Sequence, residues 1–188
     1  MRFQQMSSGM GLAALAAGLV ISGCNGTPMK GESMAAKPLD GEVRVPPGYR
    51  DWPRFVGTVD KAPAGQVREI YINTEGMRAR KGEAFPAGTI AVMEIYGARK
   101  GPGDTLMTDA SGRLLKGPLS KVFVMEKGTG WGAAQPPGTL DNGDWVYGAW
   151  EADGRTAAKV DFKACRACHA PLATSDYIAR YDEHFDQR

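Results

Sequence analysis

Thr89-Ile90-Ala91-Val92-Met93-Glu94-Ile95-Tyr96 is crowded with β-branched and aromatic residues and is bounded by Pro86 and Gly88 before it and Gly97 after it. Such residues fit a pleated, half-buried surface, so the stretch reads as a strand. Working outward, Val67 to Ile72 has the same composition. On the C-terminal side, Lys121 to Glu126 sets Val122 and Val124 against Phe123 and Met125, the period-two alternation of a strand with two different faces. Asp144 to Trp150 puts Trp145 and Tyr147 on one face and Val146 and Trp150 on the other. Between the first two strands, the polar stretch Thr74 to Ala84 reads as a short helix. The Gly-rich stretch from Ala98 to Gly117 reads as loop.

The last quarter changes period. Val160 to Ala167 has the apolar spacing of a short helix, interrupted by Pro171. Thr174-Ser175-Asp176 has the composition of a helix start, with Ile178, Tyr181 and Phe185 forming an apolar stripe behind it. The expected fold class is α+β: an antiparallel sheet of four or five strands with flanking helices and a C-terminal helical segment.

Composition narrows the functional classes. Hydrophobic residues make up 43% and charged residues 23% of 188, an ordinary globular balance. The net charge of +2 and the absence of a basic stripe exclude a nucleic-acid footprint. Residues 1–23 read as a lipoprotein signal peptide: Arg2 precedes a short apolar run from Gly11 to Ile21, which ends in Ile21-Ser22-Gly23-Cys24. Cys24 is the expected lipidation site; an ordinary secretory peptide would export the chain as well. Residues 24–45, rich in Gly, Pro, Lys, Ser and Ala, read as a flexible tether, and Pro46-Pro47-Gly48 opens a single domain over 46–188. The expected location is periplasm-facing and lipid-anchored. Asn25 is not the usual inner-membrane retention residue, which favours the outer membrane.

Of three cysteines, the two that remain stand in Cys165-Arg166-Ala167-Cys168-His169. A c-type haem needs two thiols about one helical turn apart to meet the porphyrin vinyl groups, and a histidine beside the second thiol to reach the iron. Random placement of 3 Cys and 2 His in this chain would produce that spacing about once in two thousand. A thioredoxin-like pair uses the same spacing, but at the start of a helix after the first strand of a βαβ unit. A zinc site would need a fourth ligand, for which only His184 is spare. The motif therefore reads as one covalent haem c, on Cys165 and Cys168, with His169 as axial ligand. No Met follows Met125, so the usual late methionine ligand is missing. His184 reads as a surface residue near the chain end. The iron is expected to be five-coordinate with an open distal position.

Tyr49-Arg50-Asp51-Trp52, Glu69-Ile70-Tyr71-Ile72, Phe85-Pro86-Ala87-Gly88-Thr89, Trp145-Val146-Tyr147 and the Cys165–His169 motif together resemble the cytochrome P460 and cytochrome c′-beta group. The resemblance implies a β-rich, usually dimeric protein with a five-coordinate haem c. In the P460 members a lysine also bonds to a meso carbon of the porphyrin, and the enzyme oxidises hydroxylamine, passing electrons to an exported cytochrome. In the c′-beta members that bond is absent, aromatic residues cap the distal pocket, and the protein binds NO or CO. A plain electron-transfer cytochrome is the third alternative.

Lys81 is the lysine expected near Phe-Pro-x-Gly-Thr and so the candidate for a lysine–porphyrin cross-link, although beside Arg78 and Arg80 it also reads as a solvated basic loop. Lys121 and Lys127 are weaker candidates. Arg50 could donate hydrogen bonds to a bound nitrogen oxide, or could be a surface residue. Phe55 and Phe85 could cap the iron, or belong to the core. Glu94 and Glu126 are the carboxylates considered as proton acceptors.

Overall fold

The computed structural model describes residues 36–188. The signal peptide, Cys24 and the first part of the tether lie outside the described residues. Five strands form one antiparallel sheet in sequential order: β1 (Arg54–Lys61), β2 (Gln66–Ile72), β3 (Ile90–Ala98), β4 (Lys116–Lys127) and β5 (Trp145–Glu151). Among the described residues there are three α-helices: α1 (Thr74–Met77), α2 (Phe162–His169) and α3 (Tyr181–Asp186).

The pairing register sorts the side chains into two faces. Ile70 stands opposite Met93, and Met93 opposite Phe123; one step along, Ile72, Ala91, Met125 and Tyr147 form the next row. These rows share one face because side chains alternate along every strand. The other face carries Glu69, Glu94, Val122 and Trp150 in one row and Tyr71, Val92 and Val124 in the next. The alternation read for Lys121–Glu126 and Asp144–Trp150 is the observed one.

Several boundaries differ from expectation. β1 is a strand that the sequence disguises: its pairing with β2 slips twice, between Arg54 and Val56 and between Val56 and Val59, so adjacent Phe55 and Val56 are both buried. α1 is a single turn, capped by the Asn73 side chain accepting from the Gly76 N–H at 3.0 Å. The stretch 98–117 is not wholly loop, since bridges pair Lys100 with Leu106 and Thr108 with Leu114, and β4 begins at Lys116. Thr174 to Asp176 does not start a helix. A 3-10 segment runs from Ala170 to Ser175, and α3 starts only at Tyr181. The apolar stripe was nonetheless a true burial signal, for Ile178 and Tyr181 are buried and Phe185 packs against the same core.

Residues 40–45 belong to the fold rather than to the tether. Val43 is buried, Gly41 N–H donates to the Tyr147 carbonyl at 2.7 Å, and Asp40 accepts from the Tyr147 N–H at 3.1 Å. This segment covers the free edge of β5, which would otherwise expose unpaired backbone groups. Among the described residues, no helix is long and apolar enough to cross a membrane.

Candidate functional site

A cavity of about 400 Å³ lies between the Ile70–Met93–Phe123 face of the sheet and the helical C-terminal segment, within the range of ligand sites. Cys165, Cys168 and His169 all line it. Their placement follows from α2. Asp161 caps the helix by accepting the Lys163 N–H at 2.9 Å, and the three-residue step from Cys165 to Cys168 then puts both thiols on one helical face. Burial raises the Cys165 thiol pKa, so it is held as a neutral thiol.

His169 donates from Nδ1 to the Tyr177 carbonyl at 2.7 Å. A carbonyl only accepts, so Nδ1 carries the proton and Nε2 keeps its lone pair. Burial lowers the His169 pKa and the carbonyl bond offsets this only in part, which favours the neutral imidazole that binds metals. The motif's second residue anchors the helix. Arg166, 2% exposed, donates to both oxygens of Asp40 at 2.6 and 3.0 Å and to the carbonyls of Leu140 and Trp145 at 3.0 and 3.3 Å.

The remaining lining fits a porphyrin. Its walls are apolar and aromatic, with Phe55 and Phe85 6.3 Å apart by ring centroid. Tyr147 also lines the cavity, and its hydroxyl is buried without a hydrogen-bond partner among the described residues. Lys61 and Arg68 also line it, and neither forms an ion pair among the described residues. Arg68 meets only the Gln66 side chain, at 3.0 and 3.3 Å, and burial lowers its pKa. Two unpaired cations on an otherwise apolar and aromatic cavity suit a large apolar group with two carboxylates at its edge.

The candidates separate clearly. Phe55, Phe85, Cys165, Cys168 and His169 meet on the cavity. Lys81 does not: it is exposed, with Nζ 2.6 Å from Asp186 and 3.6 Å from Asp182. Arg50 stands on the opposite side of the sheet, bound to Glu94 at 2.6 Å. Glu94 and Glu126 share that opposite face by register. Lys121 pairs with Glu151, and Lys127 with Asp176. His184 is not a surface residue. It is 1% exposed, stacked on Phe55 at 4.2 Å, with Nδ1 2.6 Å from the Phe55 carbonyl. Arg68, Met93, Met125 and Tyr147 were missed as cavity residues. Strand parity could have found them, since Arg68 shares the face of Ile70 and Ile72.

A single antiparallel sheet backing a cavity into which a C-terminal Cys-x-x-Cys-His helix projects defines an α+β protein that binds haem of the c type. The family model described as Cytochrome P460 matches residues 46–179, and the chain belongs to the cytochrome P460 family. No curated protein matches it.

Proposed function

We propose that Cys165 and Cys168 would hold the haem through thioether bonds, that His169 Nε2 would ligate its iron, and that the protein binds NO or CO at that iron. The observation that carries this reading is the cavity wall. It is lined mainly by aliphatic and aromatic side chains, two of them the Phe55 and Phe85 rings, with Lys61, Arg68 and Arg180 as its charged residues and no carboxylate among the described residues that line it. When bound, the haem iron supplies an open coordination site for a small diatomic ligand. The protein's part is to hold the ligating imidazole neutral, to exclude water by apolar packing, and to offer Arg68 and Lys61 to the carboxylates at the edge of the group. Oxidation of hydroxylamine would instead call for a proton acceptor beside the ligand.

A second reading, the hydroxylamine oxidase, is favoured by one observation. Lys61 lines the cavity, and it could bond to the porphyrin where Lys81 could not. The leader and Cys24 support a periplasm-facing, lipid-anchored protein, with an exported cytochrome as electron acceptor in the oxidase reading. A homodimer remains part of the proposal on the family resemblance alone.

The test is the optical spectrum of the reduced holoprotein, followed by anaerobic addition of NO. An ordinary high-spin ferrous haem c spectrum that changes on NO addition supports the binding protein, and failure to bind NO removes it. A broad, strongly red-shifted Soret band, with a haem peptide linked to Lys61, would establish the oxidase reading. A low-spin spectrum would point to Met93 or Met125, whose side chains reach the cavity.

A further inference from the structure

The carbonyl that receives the His169 Nδ1–H belongs to Tyr177, and the backbone there is unusual. Asp176 (φ 52°, ψ 39°) and Tyr177 (φ 60°) are consecutive non-glycine residues in the left-handed region. Short polar side chains tolerate that region, but a bulky tyrosine does so only when its surroundings enforce it. Here they do. Both carboxylate oxygens of Asp176 accept from Lys127 Nζ at 2.8 Å, and one also accepts the Phe85 N–H at 2.8 Å. The Asp176 carbonyl accepts from Trp145 Nε1 at 2.9 Å, and the Tyr177 N–H donates to the Leu172 carbonyl at 2.8 Å. The Lys127 and Asp176 side chains are each only 12% exposed. Lys127 closes β4 directly opposite Trp145 of β5, so the sheet itself carries the lock.

We propose that the Lys127–Asp176 ion pair is a positioning device for the iron-ligating histidine. By pinning the left-handed Asp176–Tyr177 turn, it fixes the Tyr177 carbonyl against Nδ1 of His169 and so sets how strongly that imidazole donates to the metal. This rests on His169 being the axial ligand, as proposed above. Neither Lys127 nor Asp176 lines the cavity, so both act through the turn rather than on the haem. The physical basis is general: a hydrogen bond from the distant ring nitrogen to a carbonyl orients a ligating imidazole and raises its basicity at the other nitrogen. The pair also gives a role to Lys127, which the sequence offered only as a weak cross-link candidate.

The test uses the full holoprotein and three variants, Lys127→Met, Asp176→Asn and Lys127→Arg. Asn tolerates the left-handed region and can still accept from Phe85, so Asp176→Asn removes the charge with the least disturbance of the fold and serves where Lys127→Met fails to load haem. The readouts are the iron–histidine stretching band of the ferrous protein by resonance Raman and the midpoint potential. The expected result is a shift of the band to lower frequency and a rise in potential for Lys127→Met and Asp176→Asn, with Lys127→Arg restoring both. A lowered melting temperature with band and potential unmoved would mean a purely structural ion pair and overturn the proposal. Where the reduced wild type is high-spin and five-coordinate by its optical spectrum, absence of any iron–histidine band would instead overturn the ligand assignment itself, and this proposal with it; where it is low-spin, the midpoint potential is the readout and an unmoved potential overturns the proposal.

Discussion

The two faces of the sheet are built from the same strands and handle polar groups in opposite ways. On the face away from the cavity, Glu94 is fully buried and accepts from the Tyr49, Tyr71 and Tyr96 hydroxyls at 2.7, 3.2 and 2.6 Å and from Arg50 Nε at 2.7 Å. Burial, the largest single influence, pushes its pKa up, but the hydrogen bonds from Tyr96, Tyr49 and Arg50 outweigh it, and the carboxyl ends below its ordinary value. Glu69 on the same face lies between Arg54 and Lys116, each at 3.1 Å. On the cavity face, Tyr147 has a buried hydroxyl without a partner, and Arg68 and Lys61 have no carboxylate. Glu126 is the exception on that face, since burial raises its pKa and no ion pair reaches it among the described residues; the remaining charges there answer one another and contribute to stability without needing a ligand. A face that leaves a hydroxyl and two cations unanswered is shaped for a group the chain itself does not supply.

The largest effect that could break this contrast is removal of the acceptor on the satisfied face. Glu94→Ala leaves three tyrosine hydroxyls and the Arg50 guanidinium without their common partner. The Arg50 side chain is 58% exposed and can turn to solvent, but the buried Tyr49 and Tyr71 hydroxyls lose their acceptor, at about 1–3 kcal/mol each. Urea denaturation of the holoprotein should show that loss, while the optical spectrum of the folded fraction stays that of the wild type. A shifted spectrum would mean that the two faces are not independent. The converse experiment is Arg68→Met on the cavity face. Arg68 makes only its contacts to Gln66, so the melting temperature should change little. Removing a nearby cation disfavours the less positive ferrous state, by about 1 kcal/mol if the charge is partly screened. The midpoint potential should therefore fall, and potentiometric titration checks it.

How much of this contrast was legible depended on local periodicity. The alternation in Lys121–Glu126 and in Trp145–Trp150 sorted the faces correctly, because strand parity is a purely local rule. Cys165, Cys168 and His169 could be grouped from the sequence because their spacing puts them on one short helix, and the structure gathers all three on the cavity. For Lys81 and Arg50 the sequence left a solvated or surface position beside the functional one, and local spacing could not choose, because strand parity and long-range ion pairs set their surroundings. Arg50 meets Glu94, 44 residues away, and Lys81 meets Asp186, 105 residues away. β1 was hidden by its two register slips, which destroy the period-two pattern. His184 looked like a surface residue because nothing in Tyr181–Asp186 announces that β1 supplies its partner carbonyl.

His184 offers a smaller effect, read through pH. Burial lowers its pKa, and the bond to the Phe55 carbonyl only partly opposes this, so the folded chain holds the ring neutral. The unfolded chain protonates near the ordinary value of about 6.5. Between the depressed folded pKa and that value the unfolded state binds more protons, so stability rises with pH there and falls on acidification below about 6.5. Below the folded pKa the loss levels off. His184→Phe, which can keep the stacking on Phe55, should flatten this decline in a series of thermal melts. A decline of unchanged slope would assign the acid sensitivity to another group.

The smallest expected effect is the sharpest discriminator of function. Lys81 lies among Asp182 and Asp186 with about half of its side chain exposed, and such surface pairs contribute little to stability. Lys81→Ala should leave the melting temperature, the reduced spectrum and the mass of the haem peptide unchanged. The reason is geometric: a lysine that bonds to a porphyrin must reach the cavity, and this one extends away from it toward α3. If the mutation altered the Soret band or removed a lysine adduct from the haem peptide, the segment around Lys81 would have to refold over the cavity when haem binds. The comparison of the two faces would then hold only for the chain without its cofactor, and hydroxylamine oxidation would displace NO binding as the better reading.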